Sequence, residues 1–292
     1  MRTIDSFINE TLNSRQVQKQ IDMEGRIDKT YEKYPELQEI DEKILEIRKE
    51  KIMKLLENES SSPDLESKDE NELKAKRAKF LKNNCIAPEF DQEWVFCEKC
   101  NDTGYVKKGN IRTVCSCMKD ELEYAFKAAG LGDFKNIKPS LMDPKAIKNP
   151  KNKRAEARKK LDSVMAGIFK GEPQSSLIYS DGAQTGKTFL SVCVTKILIG
   201  CGLNAVYVKL EDLYDMSESE LEDVRYADFL IIDDFISSST KSFKIAAALN
   251  RILEFRSMNE KFTMLVMGES PSEAVSGSEE RVAAKLSHME CI

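Results

Sequence analysis

Two groups of residues in this chain have types and spacings suited to chemistry. The first is Ser180-Asp181-Gly182-Ala183-Gln184-Thr185-Gly186-Lys187-Thr188, joined some forty residues on by Phe229-Leu230-Ile231-Ile232-Asp233-Asp234. Apolar residues at 176–179 and 188–199 predict a strand before the Gly-Lys-Thr stretch and a helix after it. A phosphate loop needs that setting. Backbone N–H groups of Gly182, Thr185 and Gly186 face phosphates at the helix N-terminus, Lys187 reaches the terminal phosphates, and the Thr188 hydroxyl ligates Mg²⁺. Asp233 closes a buried apolar strand, where it can hold the metal and its hydration shell, and Asp234 can position a water.

The loop is irregular. The pattern Gly-x-x-x-x-Gly-Lys-[Ser/Thr] places its first glycine at Asp181, with Gly182 one position late. A carboxylate there opposes a triphosphate unless it points away. Two other readings therefore stand beside a working site. One is a strand-turn-helix carrying Gly-Lys-Thr by chance, and the other is a P-loop domain that folds without hydrolysing.

The second group is Cys97-Glu98-Lys99-Cys100, followed after fourteen intervening residues by Cys115-Ser116-Cys117. Four thiolates in two tight pairs can wrap a tetrahedral Zn²⁺, and Asn101-Asp102-Thr103-Gly104 supplies a turn after the first pair. The rivals are a disulfide pair, disfavoured in a reducing compartment, and a redox dithiol, disfavoured because Cys97 does not start a helix in a βαβ pattern. Cys193, Cys201 and Cys291 stand alone, and His288, the only histidine, reads as a surface side chain in a helical run.

These groups must be positioned by the rest of the 292 residues, a length that predicts two domains or one with a long appendage. Charged residues make up 33% and the net charge is −5, so the chain is no general polyanion binder, and nucleic-acid contact would need a local patch. No apolar run approaches ~18 residues, which excludes a helical membrane span. Met1 to Arg15 has no signal-peptide core, so a cytoplasmic location is expected. Residues 1–58 read as a helical arm. Val17, Ile21 and Ile27 lie before Tyr34-Pro35, and Leu37, Ile40, Ile44 and Ile47 form one face after it, continued by Ile52, Leu55 and Leu56. That face either closes a hairpin on itself or docks on a partner protein. A linker is expected over 59–72, with a short basic helix over 71–83, and the cysteine module fills 73–130. Residues 131–155 form a second linker, opening a basic run from Lys145 to Lys160 that is a candidate for DNA contact or a solvated tether. From 156 to 292, helices alternate with buried strands at 177–179, 205–208, 229–232 and 263–267. This predicts an α/β fold with a parallel sheet flanked by helices.

With both modules in view, the chain resembles bacterial and phage replicative helicase loaders of the DnaC/DnaI type. The resemblance rests on Tyr34-Pro35-Glu36-Leu37-Gln38-Glu39-Ile40-Asp41, Cys97-Glu98-Lys99-Cys100-Asn101-Asp102-Thr103-Gly104-Tyr105 with Cys115-Ser116-Cys117, and Gly186-Lys187-Thr188-Phe189-Leu190-Ser191 with Ile231-Ile232-Asp233-Asp234. It implies an N-terminal half that grips a hexameric replicative DNA helicase. It also implies an AAA+ core that binds ATP with Mg²⁺ and single-stranded DNA and self-associates through AAA+ interfaces. Cys85 stands where relatives have glycine and is left out of the metal site. The chain departs from relatives at Asp181 and Gln184, which stand at glycine positions, and at Gly268, which replaces an Asn that senses the terminal phosphate. Of two arginines that reach a neighbouring subunit's nucleotide, Arg281 remains and Lys285 replaces the other. Lysine lacks the bidentate fork, so weak hydrolysis is expected. The rival from another class is a degenerate adaptor or inhibitor that binds the helicase without an ATPase cycle.

Overall fold

The computed structural model describes residues 2–57, 68–109, 111–139 and 153–292. It divides into two compact units, one of Met1–Glu10 with Lys99–Ile292 and one of Thr11–Glu98.

The Thr11–Glu98 unit is helical. Helix α1 (Ile4–Lys33) enters it, Tyr34 breaks the chain, and Pro35 opens α2 (Pro35–Glu57), where its fixed φ and missing N–H cost nothing. Leu37, Ile40 and Ile44 are buried. Leu37 packs with Leu81 and Phe90 and with the partly buried Ile27, Tyr31, Tyr34 and Phe80. The α2 face is thus spent inside its own unit, against Leu81 and Phe90 beyond the arm as well as Ile27 and Tyr31 of α1, so the arm does not close as a hairpin on itself alone. Val17, Ile21, Leu45, Ile52 and Met53 stay exposed, as do Trp94, Val95 and Phe96. Leu55 and Leu56 lie outside the described side chains. Arg77 bridges Asp41 (2.6 Å) and Asp91 (2.5 Å).

The helix expected over 71–83 begins earlier, as α3 (Lys68–Asn83), with Asp69 and Glu70 in its first turn. That shortens the expected 59–72 linker, whose residues 59–67 lie outside the described ones. Glu70 explains the extension. Its side chain is 5% exposed and meets Lys51 (2.7 Å), Arg48 (3.0 Å) and Lys74 (3.2 Å). The hydrogen bonds from Lys51, then Arg48 and Lys74, hold its carboxyl down at about 2 instead of the ordinary 4.5. A depressed folded-state value means the unfolded chain takes up the proton first. The stabilisation is therefore complete above about 4.5 and is lost as pH falls toward 2. Helical signal followed in acid should fall across that window, and Glu70→Gln should flatten the fall while lowering stability at neutral pH. An unchanged acid profile in the variant would contradict the assignment.

In the other unit, strands β1 (Tyr105–Lys108) and β2 (Ile111–Val114) form an antiparallel hairpin. Helix α4 (Lys119–Phe126) follows, then a π-turn over Lys127–Leu131 and a 3₁₀ turn over Gly132–Phe134. Residues 140–152 are not described, which takes in much of the second expected linker and of the basic run. The chain is helical again from Lys153, three residues before the expected start at 156, as α5 (Lys153–Lys170).

The rest is α/β. Strands β3 (Leu177–Ser180), β4 (Ala205–Lys209), β5 (Phe229–Phe235), β6 (Phe262–Met267) and β7 (Glu290–Cys291) form one parallel sheet in the order β4-β5-β6-β3-β7. Between them run α6 (Lys187–Gly200), α7 (Glu218–Tyr226), α8 (Phe243–Met258), α9 (Pro271–Gly277) and α10 (Glu280–Leu286). This is the sheet flanked by helices expected of a P-loop AAA+ core. Four of its strands are the apolar runs read from the sequence. The fifth, β7, is two exposed residues with no apolar run, and only its pairing with β3 reveals it. His288 lies in the turn after α10, not in the helix as expected. Ile178, Leu230, Ile232, Leu249, Ile252 and Leu265 centre the core. Buried Arg256 ties α8 to its neighbours, donating to the carbonyls of Ala227 (2.6 Å), Arg225 (3.0 Å), Val224 (3.3 Å) and Phe262 and to Thr263 Oγ1 (2.9 Å). Burial pushes its guanidinium down to about 9, still charged at neutral pH.

Candidate nucleotide and metal sites

In parallel sheets, ligands bind beyond the carboxyl ends of the strands. Ser180 is level with Met267, and Met267 with Phe235, so the 181–187 loop and the Asp233-Asp234 pair leave the same sheet edge. Gly186 caps α6 in a left-handed conformation (φ 91°), which suits a residue without a Cβ. Gln184 is also left-handed (φ 61°). Relatives' glycine at that place therefore has a backbone reason, and Gln184 carries strain of about 1 kcal/mol.

Asp181 turns its carboxylate onto its own loop, accepting from the Gly182 N–H (2.8 Å). That removes one of the donors a phosphate would use. Lys187 Nζ donates to the carbonyls of Asp181 (2.6 Å) and Gly182 (2.5 Å), and Thr185 Oγ1 donates to the Gly182 carbonyl (3.0 Å). Phosphate binding must exchange the two lysine–carbonyl bonds for bonds to an anionic acceptor, in which both partners are charged. Thr188, in the first turn of α6, is half-buried.

Asp233 is 2% exposed and fully engaged. Its Oδ1 accepts from the Asp234 N–H (2.8 Å) and its Oδ2 from the Tyr207 hydroxyl (2.7 Å). Burial, then the Asp233 charge, push the Tyr207 phenol above its ordinary range, so it stays a donor. The sequence reading missed Tyr207, because only the β4–β5 pairing places it. Asp234 is exposed and left-handed (φ 51°), 3.6 Å from Lys209 Nζ. A carboxylate oxygen is the kind of donor Mg²⁺ prefers, and Asp233 stands near the carboxyl end of β5.

Gly268 lies in open space at the end of β6. The next residue, Glu269, accepts from the Ser237 N–H through Oε1 (3.0 Å), and its carbonyl accepts from Ser180 Oγ (2.6 Å). Arg281 is exposed in the first turn of α10, beside the cap residue Glu279. Lys285, one turn on, lines a cavity with Ser176, Thr263 and His288, at the starts of β3 and β6. The structure thus sets Lys285 at the opposite sheet edge from its own phosphate loop, where it cannot act on the same chain's nucleotide.

The four sulfurs of Cys97, Cys100, Cys115 and Cys117 lie within 4.8 Å of one another. Cys100 and Cys117 are 3.6 Å apart, close to the about 3.8 Å edge of a zinc–sulfur tetrahedron with ~2.3 Å bonds. The expected turn after the first pair is present, with Asn101, Asp102 and Gly104 all at positive φ. It is fastened by the Thr103 N–H to the Cys100 carbonyl (3.1 Å) and the Cys115 N–H to the Gly104 carbonyl (2.9 Å). The donor set fits zinc.

No protein-family model matches the chain, and no curated protein matches it. Among solved structures it is similar to AMPPCP-bound DnaA from Aquifex aeolicus, at 14% identity and a TM-score of 0.45 over 52% of this chain and 50% of that one. It is similar to the DnaC helicase loader, at 21% identity and a TM-score of 0.44 over 55% of this chain and 98% of that one. It is similar to DnaI, at 15% identity and a TM-score of 0.42 over 48% of this chain and 80% of that one. The chain thus spans half the length of the DnaA protein it matches. DnaC and DnaI are the types named by the sequence resemblance.

Proposed function

We propose that the chain is a helicase loader of DNA replication initiation. Its proposed domains are an arm over 1–58, a linker that ends where α3 begins at Lys68, a zinc module that runs to about 130, and an AAA+ core that takes in α5 from Lys153 to the end of the sheet, with the sequence-expected 131–155 linker reduced by the packing of Phe134 and Ile137. The arm and the zinc module engage a hexameric replicative helicase, offering Val17, Ile21, Trp94, Val95 and Phe96 as exposed apolar contacts. The core binds Mg·ATP through Gly182, Thr185, Gly186, Lys187, Thr188 and Asp233, with Asp234 aligning water. Arg281 and Lys285 act on a neighbouring copy's nucleotide. The observation that carries this reading is the pairing, in one chain, of a four-sulfur cluster with a phosphate loop and a buried Asp233 at one sheet edge.

Mg²⁺ supplies charge neutralisation at the terminal phosphates when bound. The chain's own part is to hold Asp233, present the loop N–H groups and bring Lys187 out of its carbonyls. Turnover is slow, because Gly268 offers no side chain and Lys285 lacks the fork.

Single-stranded DNA is the second polymer partner. Phe243 is 86% exposed and flanked by Lys241 and Lys244, and the Lys244 ammonium stands 4.3 Å over the half-exposed Tyr214 ring. Exposed aromatics among lysines suit base stacking and backbone attraction. This cluster stands beside the 145–160 run as a second DNA candidate.

Equilibrium binding and turnover with a replicative helicase and single-stranded DNA present test the reading. Capture of helicase together with Mg·ATP binding, and turnover below about 1 s⁻¹, is the expected result. Helicase capture with no nucleotide binding would favour the adaptor, which the self-bonded Lys187 and Asp181 motivate. Capture of neither would overturn both.

A further inference from the structure

Tyr207 joins three things. Its hydroxyl holds Asp233 Oδ2 at 2.7 Å. Its ring stands edge-on to Phe134, with centroids 5.3 Å apart and planes at 76°. Its carbonyl lies against Gly130, which is left-handed (φ 83°) and where a Cβ would overlap that oxygen. Phe134 and Gly130 belong to the π-turn and 3₁₀ segment that follows α4. The same segment is pinned to the phosphate-loop helix by buried Lys196, whose ammonium donates to the carbonyls of Phe134 (2.7 Å) and Ile137 (2.9 Å). The 127–137 segment therefore bears at once on the helix that carries Lys187 and on the tyrosine that orients Asp233.

We propose that Tyr207 is a positioning residue for the metal-holding carboxylate, and that it makes the aim of Asp233 depend on where the 127–137 segment packs. This rests on the nucleotide reading above. Without the hydroxyl, Asp233 keeps only the Asp234 N–H, and Oδ2 is free to rotate off its line. Loss of a group that orients a metal ligand weakens metal affinity by about 10–100-fold. A displacement of Phe134 would act the same way more weakly, by letting the ring swing.

The experiment uses the full chain, Mn²⁺ as a spectroscopic probe and a non-hydrolysable ATP analogue. Electron paramagnetic resonance reads Mn²⁺ affinity in the nucleotide complex, and a fluorescent analogue reads nucleotide affinity without metal. Tyr207→Phe is expected to weaken Mn²⁺ about 10-fold or more while metal-free nucleotide affinity stays within about twofold, a split that general loosening would not produce. Phe134→Ala is expected to weaken Mn²⁺ several-fold with the hydroxyl still in place. Mn²⁺ affinity unchanged in Tyr207→Phe overturns the proposal. Should that variant not fold, Phe134→Ala decides by the same criterion. A parent chain that binds neither nucleotide nor Mn²⁺ overturns the nucleotide reading and the proposal with it. A parent that binds both, beside unaffected variants, overturns the proposal alone.

Discussion

Lys187→Ala is expected to remove Mg·ATP binding, with a loss of affinity of about 100-fold or more. The estimate comes from two lost bonds to phosphate, each charge-assisted and worth about 1.5–3 kcal/mol. Its stability cost should be small. Lys187 now donates to the Asp181 and Gly182 carbonyls, and in the variant water can reach the exposed Gly182 in its place. Titration calorimetry beside a thermal melt separates the two effects. Thr188→Ser keeps the hydroxyl and should retain binding. A Lys187→Ala protein that binds nucleotide as tightly as its parent would show that the loop does not cradle phosphates.

That expectation was legible because its residues are consecutive. Gly186-Lys187-Thr188 lies between two apolar runs, and periodicity alone sets the strand before it and the helix after it. Asp233 was legible for the same reason, as the polar end of an apolar strand. What the chain hides from a linear reading is pairing between distant segments. Tyr207 looks like an ordinary strand aromatic until β4 lies beside β5 and its hydroxyl meets Asp233. β7 has no hydrophobic signal and exists only because it pairs with β3. Lys285 resembles a displaced arginine finger by alignment, yet its distance from its own phosphate loop follows only from where α10 packs. The α2 stripe shows the limit of periodicity most directly. It predicts a buried face at Leu37, Ile40 and Ile44, and does not say whether α3 or a partner covers it. Leu81 and Phe90 cover Leu37.

Cys115→Ser is expected to strip the zinc proposed for the four-cysteine cluster. Metal analysis of the parent, made under reducing and zinc-replete conditions, should find about one zinc per chain, and Cys97→Ser should lose it too. The effect should be large, since structural zinc sites in small modules bind with about 10–16 kcal/mol at neutral pH and that energy is folding energy. It should also be local. Cys115 is buried, and its N–H closes the turn onto the Gly104 carbonyl. Gly104 in turn lies between Ile8 and Met118, both fully buried. Loss of metal therefore frees the β1–β2 hairpin and uncovers the first turns of α1, giving a chelator-sensitive transition at low temperature. The sheet core has its own apolar cluster around Leu230, Ile232 and Leu265 and should melt later, unaffected by chelator. Cys85→Ser, at an exposed thiol outside the cluster, should keep its zinc and its first transition. A zinc-free parent, or a Cys115→Ser protein with full zinc, would remove the metal from the reading and leave the four sulfurs as a reduced thiol cluster.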